Sequence, residues 1–161
     1  MRVVSQELLE QLLAVGNESQ SFEVKGPGDL SDKAFVARVA RAAMSMGNHR
    51  DGGIVCIGVD EKQMQAMLPG LSPEQAAAWG DYDNVTAALT RYSDPAVVFT
   101  LDSYVLSSGA SVVVLDVTEF DTVPHVCKRT LSPVLQDGMT YVRPRGKPER
   151  SEEHTSELQS H

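Results

Sequence analysis

Glu18-Ser-Gln-Ser-Phe-Glu-Val-Lys25 is followed, after one helix-like segment, by Asn48-His-Arg-Asp-Gly-Gly-Ile-Val-Cys-Ile-Gly-Val-Asp60. The first stretch alternates like a strand, with Glu23 and Lys25 on one face and apolar residues on the other. The second has a glycine turn and then a nearly continuous apolar run, which is typical of a central strand covered on both faces. Together the two stretches predict neighbouring strands that bring carboxylates and a lysine to one place.

The remaining segments predict alternating helices and strands, followed by a strand meander. Apolar spacing and capping residues indicate helices at Ser5–Val15, from Ser31 or Asp32 to Met46, from Ser72 onward and at Asp83–Tyr92. Further strands are predicted at Ala96–Leu106, Ala110–Val117, Pro124–Lys128 and Met139–Arg143, with turns at Ser107-Ser-Gly109 and Asp137-Gly138. This order predicts an α+β fold, a mixed β-sheet with helices packed on it.

The composition is that of one globular domain. The 161 residues are 42% hydrophobic and 22% charged, and the formal net charge of −8 argues against a nucleic-acid grip spread over the whole surface. A local basic patch on an acidic body remains compatible with that charge. Cys56 and Cys127 lie in apolar runs, which indicates buried thiols in a reducing compartment. With no signal peptide or bilayer-spanning apolar run in the sequence, we expect a cytoplasmic protein without a membrane partner.

The C-terminal tail stands apart from the rest of the chain. Residues 150–161, Arg-Ser-Glu-Glu-His-Thr-Ser-Glu-Leu-Gln-Ser-His, resemble the in-frame translation of a standard short-read sequencing adapter. We therefore interpret residues 1–149 as the domain, truncated at its C-terminus, and residues 150–161 as a non-native tail.

Three carboxylates could form a metal site. Glu18 and Glu23 are five positions apart, so they converge only if Glu18 lies in the turn before the strand. Asp60 ends the next strand and would complete the set. Clustered carboxylates repel one another, and a divalent cation such as Mg²⁺ or Mn²⁺ is the usual reason for them. Such an ion could support phosphodiester cleavage by Glu18, Glu23 and Asp60, with Lys25 offsetting phosphate charge. Spacing alone favours the simpler alternative of solvated and turn residues.

Basic residues supply a second candidate site. The glycines of the turn at residues 48–53 could allow close approach of a phosphate, although the turn is neither a Walker A loop nor a Rossmann fingerprint. Lys25, Arg50, Arg143, Arg145 and Lys147 are the candidate phosphate contacts. Read alone, the turn is an ordinary helix-to-strand connection with a solvated Arg50. The alternative for the last three residues is an ordinary solvated strand end.

The ordered set of these pieces resembles the Schlafen AlbA-like domain family. The matching pieces are Glu18–Lys25, the helix ending Ala-Met-Ser-Met-Gly-Asn48, Arg-Asp-Gly-Gly-Ile-Val-Cys-Ile-Gly-Val-Asp-Glu61, the proline of Val-Pro124-His, and Asp-Gly-Met-Thr-Tyr-Val-Arg143-Pro-Arg-Gly. They cover nearly all of residues 16–148. The sequence departs from the family where Val24 replaces an aromatic residue and where the turn after Asn48 is one residue longer.

The resemblance implies a nucleic-acid-binding domain of a bacterial regulatory or defence-type protein, with DNA or RNA as the partner. It also implies an alternative, because some animal relatives are endoribonucleases that use three carboxylates and a divalent metal. By motif position those carboxylates match Glu18, Glu23 and Asp60, with Glu61 as a possible replacement for Asp60. A structural or homo-oligomerising module is the third interpretation.

Overall fold

The computed structural model describes residues 4–144. Its α-helices are α1 (Gln6–Val15), α2 (Lys33–Gly47), α3 (Pro73–Trp79) and α4 (Tyr82–Thr90), with a 3₁₀ turn at Glu61–Gln63. Its strands are β1 (Phe22–Lys25), β2 (Gly53–Ile57), β3 (Ser93–Asp94), β4 (Phe99–Val105), β5 (Ser111–Val117) and β6 (Val126–Cys127). Arg145, Lys147, the domain boundary at residue 149 and the tail at 150–161 lie outside the described residues.

The main sheet contains four strands in the order β1-β2-β5-β4, and β3 and β6 form a separate pair. β1 and β2 run parallel, whereas β5 is antiparallel to both of its neighbours. The parallel pair is joined through α2, as a crossover connection requires. The prediction of an α+β fold with a mixed sheet is confirmed.

Helix ends follow the capping residues in the sequence. The Ser5 hydroxyl accepts a hydrogen bond from the Leu8 N–H at the start of α1, and Gly16 ends that helix in the left-handed conformation. Asp32 caps α2 by accepting from the N–H groups of Ala34 and Phe35. These side chains satisfy backbone donors that have no partner inside the helix.

Two apolar layers cover the sheet, and β2 is buried along its whole length. Helices α2, α3 and α4 pack on one face, against residues such as Val55 and Ile57. Helix α1 packs on the other face, against Ile54 and Cys56. The predicted two-sided covering of this strand is therefore confirmed. Trp79 is fully buried, and its indole N–H donates to the Gly28 carbonyl at 2.9 Å.

The strand predicted at Met139–Arg143 does not form. The Met139 carbonyl accepts from the Cys127 N–H at 2.8 Å, but no ladder continues beyond that point. The Tyr141 carbonyl instead accepts from the Asn48 side chain at 2.9 Å. The side chain of Asn48, the residue that caps the C-terminal end of α2, thus takes the place of a neighbouring strand.

None of the helices within residues 4–144 combines the length and apolar character that crossing a bilayer requires.

Candidate functional site

Glu18 lies in the turn before β1, where it can approach the same side of the sheet as Glu23. Its Oε2 accepts a hydrogen bond from the Val24 N–H at 2.9 Å. Ser19 forms an antiparallel bridge with Phe22 in the same turn. β1 is an outer strand, so its backbone groups on the side away from β2 have no neighbouring strand to pair with. The contacts from Glu18 and Ser19 give these groups hydrogen-bond partners. The placement of Glu18 in a turn is confirmed, and the structure gives the residue a structural contact there.

Glu23 is a buried carboxylate held by two cations. Its side chain is 5% exposed; the Lys25 ammonium lies 2.5 Å from Oε2, and the Arg143 guanidinium donates to Oε1. Burial alone would raise the pKa of Glu23, but the charges of Lys25 and Arg143 outweigh burial and lower it. Glu23 is therefore a compensated ion inside the protein.

Arg143 fastens the C-terminal part of the described chain to β1. Besides contacting Glu23, its guanidinium donates to the carbonyls of Ser19 and Gln20 at 2.9 and 3.0 Å. Gln20 in turn donates from its side chain to the Pro144 carbonyl at 2.7 Å. The Arg143 side chain is only 5% exposed. In this arrangement the guanidinium that we predicted as a phosphate contact is turned inward.

The third carboxylate near Glu18 is Glu61 rather than Asp60. Asp60 is exposed and caps the 3₁₀ turn, accepting from the Lys62 N–H at 2.9 Å. Burial raises the pKa of Glu18 to about 7, with further contributions from the negative charges of Glu23 and Glu61. The position that the resemblance allowed as a replacement is thus the one whose charge acts on Glu18.

The predicted metal ligands Glu18, Glu23 and Asp60 are not assembled as a coordination shell. Within residues 4–144, no group of three or more His, Cys, Asp or Glu side chains is arranged to hold a metal ion. Glu23 already contacts two cations, and Asp60 is engaged in a cap. Oxygen ligands for Mg²⁺ must converge on one point about 2.0–2.1 Å from the ion in near-octahedral geometry. This carboxylate set does not fit such an ion.

Stability should fall as pH rises through the range in which Glu18 titrates. The folded carboxyl has a pKa of about 7 against an ordinary value of 4.5, so folding takes up a proton between those values. We expect Glu18→Gln to gain stability relative to the wild type across this window, on the order of 1–2 kcal/mol by pH 8 after allowance for solvent screening. The amide oxygen can still accept from Val24. Urea denaturation at pH 4.5, 6 and 8 measures the difference, and a constant difference would contradict the prediction.

Asn48 is a structural residue whose role the sequence analysis did not identify. Its amide N–H groups donate to the carbonyls of His125 and Tyr141, and its oxygen accepts from the His125 N–H at 2.7 Å. Asn48 follows α2 directly, so its side chain joins the segments around His125 and Tyr141 to the C-terminal end of that helix. Two features of the sequence could have indicated this role. One is an asparagine next to a helix terminus, and the other is the Pro124-His motif later in the chain.

The glycines of the turn after α2 are required by the protein's own packing. Gly52 has φ +73°, and a Cβ placed there would lie 2.0 Å from the Val117 carbonyl oxygen. A Cβ at Gly53 would lie 2.1 Å from the Met46 sulfur. The close approach that we interpreted as space for a phosphate is therefore filled by neighbouring residues.

Among the predicted cations that the structure describes, Lys25 and Arg50 are more accessible to solvent than Arg143. Lys25 is 23% exposed, and Arg50 is exposed in the turn after α2. The neighbouring His49 lies close enough to Arg143 for the guanidinium charge to lower the His49 pKa, after the larger effect of burial. The negative charges of Asp51 and Glu119 act on His49 in the opposite direction, so the turn is electrostatically coupled to these carboxylates as well as to Arg143.

Comparisons with known proteins support only the fold. No family model matches the chain. A search of curated proteins finds no match. Among solved structures, the chain is similar to the DIP2311 protein from Corynebacterium diphtheriae, with a TM-score of 0.54 and 15% identity. The similarity covers 76% of this chain and 23% of that chain, so the chain spans about a quarter of the length of that protein.

Proposed function

We propose that the chain is a cytoplasmic nucleic-acid-binding domain of a regulatory or defence-type protein, related to the Schlafen AlbA-like family. The observation that carries the proposal is the pairing of two cations, Lys25 and Arg143, with the single carboxylate of Glu23. Lys25 and Arg143 together hold this buried carboxylate, and Arg50 is exposed in the turn next to His49, on which the Arg143 charge acts. An acidic protein that concentrates cations at one place has a local surface to which a phosphate backbone can be attracted.

Glu18 contributes less negative charge near Glu23 and Lys25 than an ordinary carboxylate would. With a pKa of about 7, its carboxyl is only partly ionised near neutral pH. The potential at this surface is consequently less negative than the overall charge of −8 suggests. Binding of this kind depends on phosphate contacts and is not selective for base sequence, so it applies to either DNA or RNA.

Arg50→Ala should weaken binding without altering the fold. An exposed phosphate-contacting cation contributes a sequence-independent term, so we expect the affinity to fall similarly for different nucleic acids. The slope of log K against log salt should decrease by about 1. Filter binding with a mixed-sequence DNA and an RNA of equal length, from 50 to 200 mM salt, measures both effects.

Arg91→Ala is the matched control, because Arg91 is an exposed arginine at the end of α4. It should leave both affinity and salt slope at wild-type values. Absence of salt-sensitive affinity for any nucleic acid would refute the proposed function. Equal losses in the two variants would show that the contact is not located at the turn.

The ribonuclease alternative has less support because its carboxylates are not arranged around a common ion. It stays a prediction, tested by incubating the protein with tRNA and Mn²⁺ and comparing Glu18→Gln with the wild type. The third interpretation, a structural or oligomerising module, predicts neither binding nor cleavage.

A further inference from the structure

The two outer strands of the main sheet differ in how their free edges are satisfied. The edge of β1 is closed by Glu18 and Ser19 from the preceding turn.

In the antiparallel β4–β5 ladder, backbone groups alternate between pointing toward the partner strand and pointing away from it. The Thr118 N–H donates to the Val98 carbonyl, and the Leu106 N–H donates to the Ala110 carbonyl. Even-numbered β4 residues therefore face β5.

The odd-numbered residues of β4 form an open row of donors and acceptors. The Val105 carbonyl accepts from the Gln6 side chain at 2.8 Å. Across residues 4–144, the backbone groups of Leu101 and Ser103 have no hydrogen-bond partner. A row of this kind is a template for an additional strand.

Apolar side chains flank this edge. Val98 is 61% exposed and Val105 is 63% exposed, one near each end of β4. Tyr82 is 48% exposed, and its ring lies 5.3 Å from the ring of Phe99. An incoming strand would cover apolar surface as well as backbone groups, and such burial is favourable.

The charge beside the edge is negative. Asp102 lies in the middle of β4 and is exposed, as are Asp81 and Asp83 at the start of α4. The sequence contains no lysine or arginine between Arg91 and Lys128. Edge strands are commonly protected by lysine, and this one lacks that protection.

We propose that β4 accepts a basic, extended segment of a partner protein as an additional strand. Such a segment would supply backbone hydrogen bonds to Leu101 and Ser103 and a lysine or arginine opposite Asp102. A second copy of this chain fits less well. Full antiparallel overlap of two β4 strands places Asp102 opposite its own counterpart, with Cβ atoms about 4.5–5.5 Å apart, and directly opposed like charges destabilise a sheet.

Synthetic peptides test the proposal. A fluorescent nine-residue peptide of alternating valine and lysine should bind with a measurable anisotropy change, whereas the same peptide with glutamate in place of lysine should not. Asp102→Asn should weaken binding of the lysine peptide several-fold. Asp137→Asn, which neutralises an exposed aspartate in a distant turn, should leave binding unchanged. Equal effects of the two substitutions, or equal binding of the two peptides, would overturn the proposal.

Backbone pairing has its own test. Ser103→Pro removes an outward N–H without removing a hydrogen bond to β5, so it should reduce peptide affinity at least tenfold while thermal unfolding remains cooperative. A lysine peptide methylated at alternate amide nitrogens on its pairing edge should fail to bind the unmodified protein. Normal binding of that peptide would refute strand addition even if Ser103→Pro did not fold. Sedimentation showing a dimer that Ser103→Pro abolishes would assign the edge to a second copy and would also overturn the proposal.

Discussion

Replacing Arg143 with alanine is expected to lower the free energy of unfolding by about 3–5 kcal/mol. The substitution removes the guanidinium that contacts Glu23 and that donates to the carbonyls of Ser19 and Gln20. Glu23 then remains buried with only Lys25 to compensate its charge. A buried charge that loses one of its partners is costly because water cannot replace that partner. Urea denaturation at pH 7.5 measures the effect.

Controls separate the loss of this ion pair from a general loss of charge. Arg50→Ala removes an exposed arginine from the turn after α2 and should change stability by less than about 0.5 kcal/mol. Adding Glu23→Gln to Arg143→Ala should recover part of the loss, because the uncompensated carboxylate is then absent. A loss below about 1 kcal/mol for Arg143→Ala would show that the contacts seen here do not stabilise the fold.

Gly52→Ala is expected to cost about 3 kcal/mol or more, or to prevent folding. Alanine at φ +73° carries backbone strain of about 1–2 kcal/mol. Its Cβ would also lie 2.0 Å from the Val117 carbonyl oxygen, which belongs to β5 and cannot move without distorting the sheet. Overpacking against fixed neighbours typically adds about 1–3 kcal/mol.

Gly109→Ala is the matched control for this prediction. Gly109 also has a positive φ, +91°, but a Cβ there meets nothing within 4 Å. Its substitution should therefore show the backbone strain alone. Thermal and urea unfolding of the two variants give the comparison. Equal losses of unfolding free energy in the two variants would mean that the close contact with Val117 adds no cost, because the turn adapts.

Local patterns in the sequence were sufficient for the elements that position the site. The alternation of Phe22-Glu-Val-Lys25 predicted β1, and the apolar run after Gly53 predicted β2. Ser5 marked the start of α1, and the pair Ser31-Asp32 marked the start of α2, where Asp32 is the capping residue. Strand periodicity set the condition that Glu18 must lie in the turn if it is to approach Glu23, and the structure meets that condition. These features depend on interactions between residues close together in the chain.

Long-range contacts account for what the sequence did not predict. Glu23 and Arg143 are 120 positions apart, so spacing could not show that one is the buried partner of the other. The segment after Met139 has a strand-like composition, but the Asn48 amide takes the Tyr141 carbonyl instead. Periodicity likewise could not distinguish Asp60 from Glu61, because the 3₁₀ turn re-orients both after β2 ends.

The bond between Gln20 and Pro144 fixes where the polypeptide leaves the described region, next to β1 and on the opposite side of the sheet from β4. A reporter or second module fused directly after Pro144 would therefore emerge near Gln20, beside the start of β1. Such a fusion would shield the positively charged surface first and would leave the strand-accepting edge accessible. Attachment before Val4, on the side where α1 contacts Val105 through Gln6, would have the opposite effect.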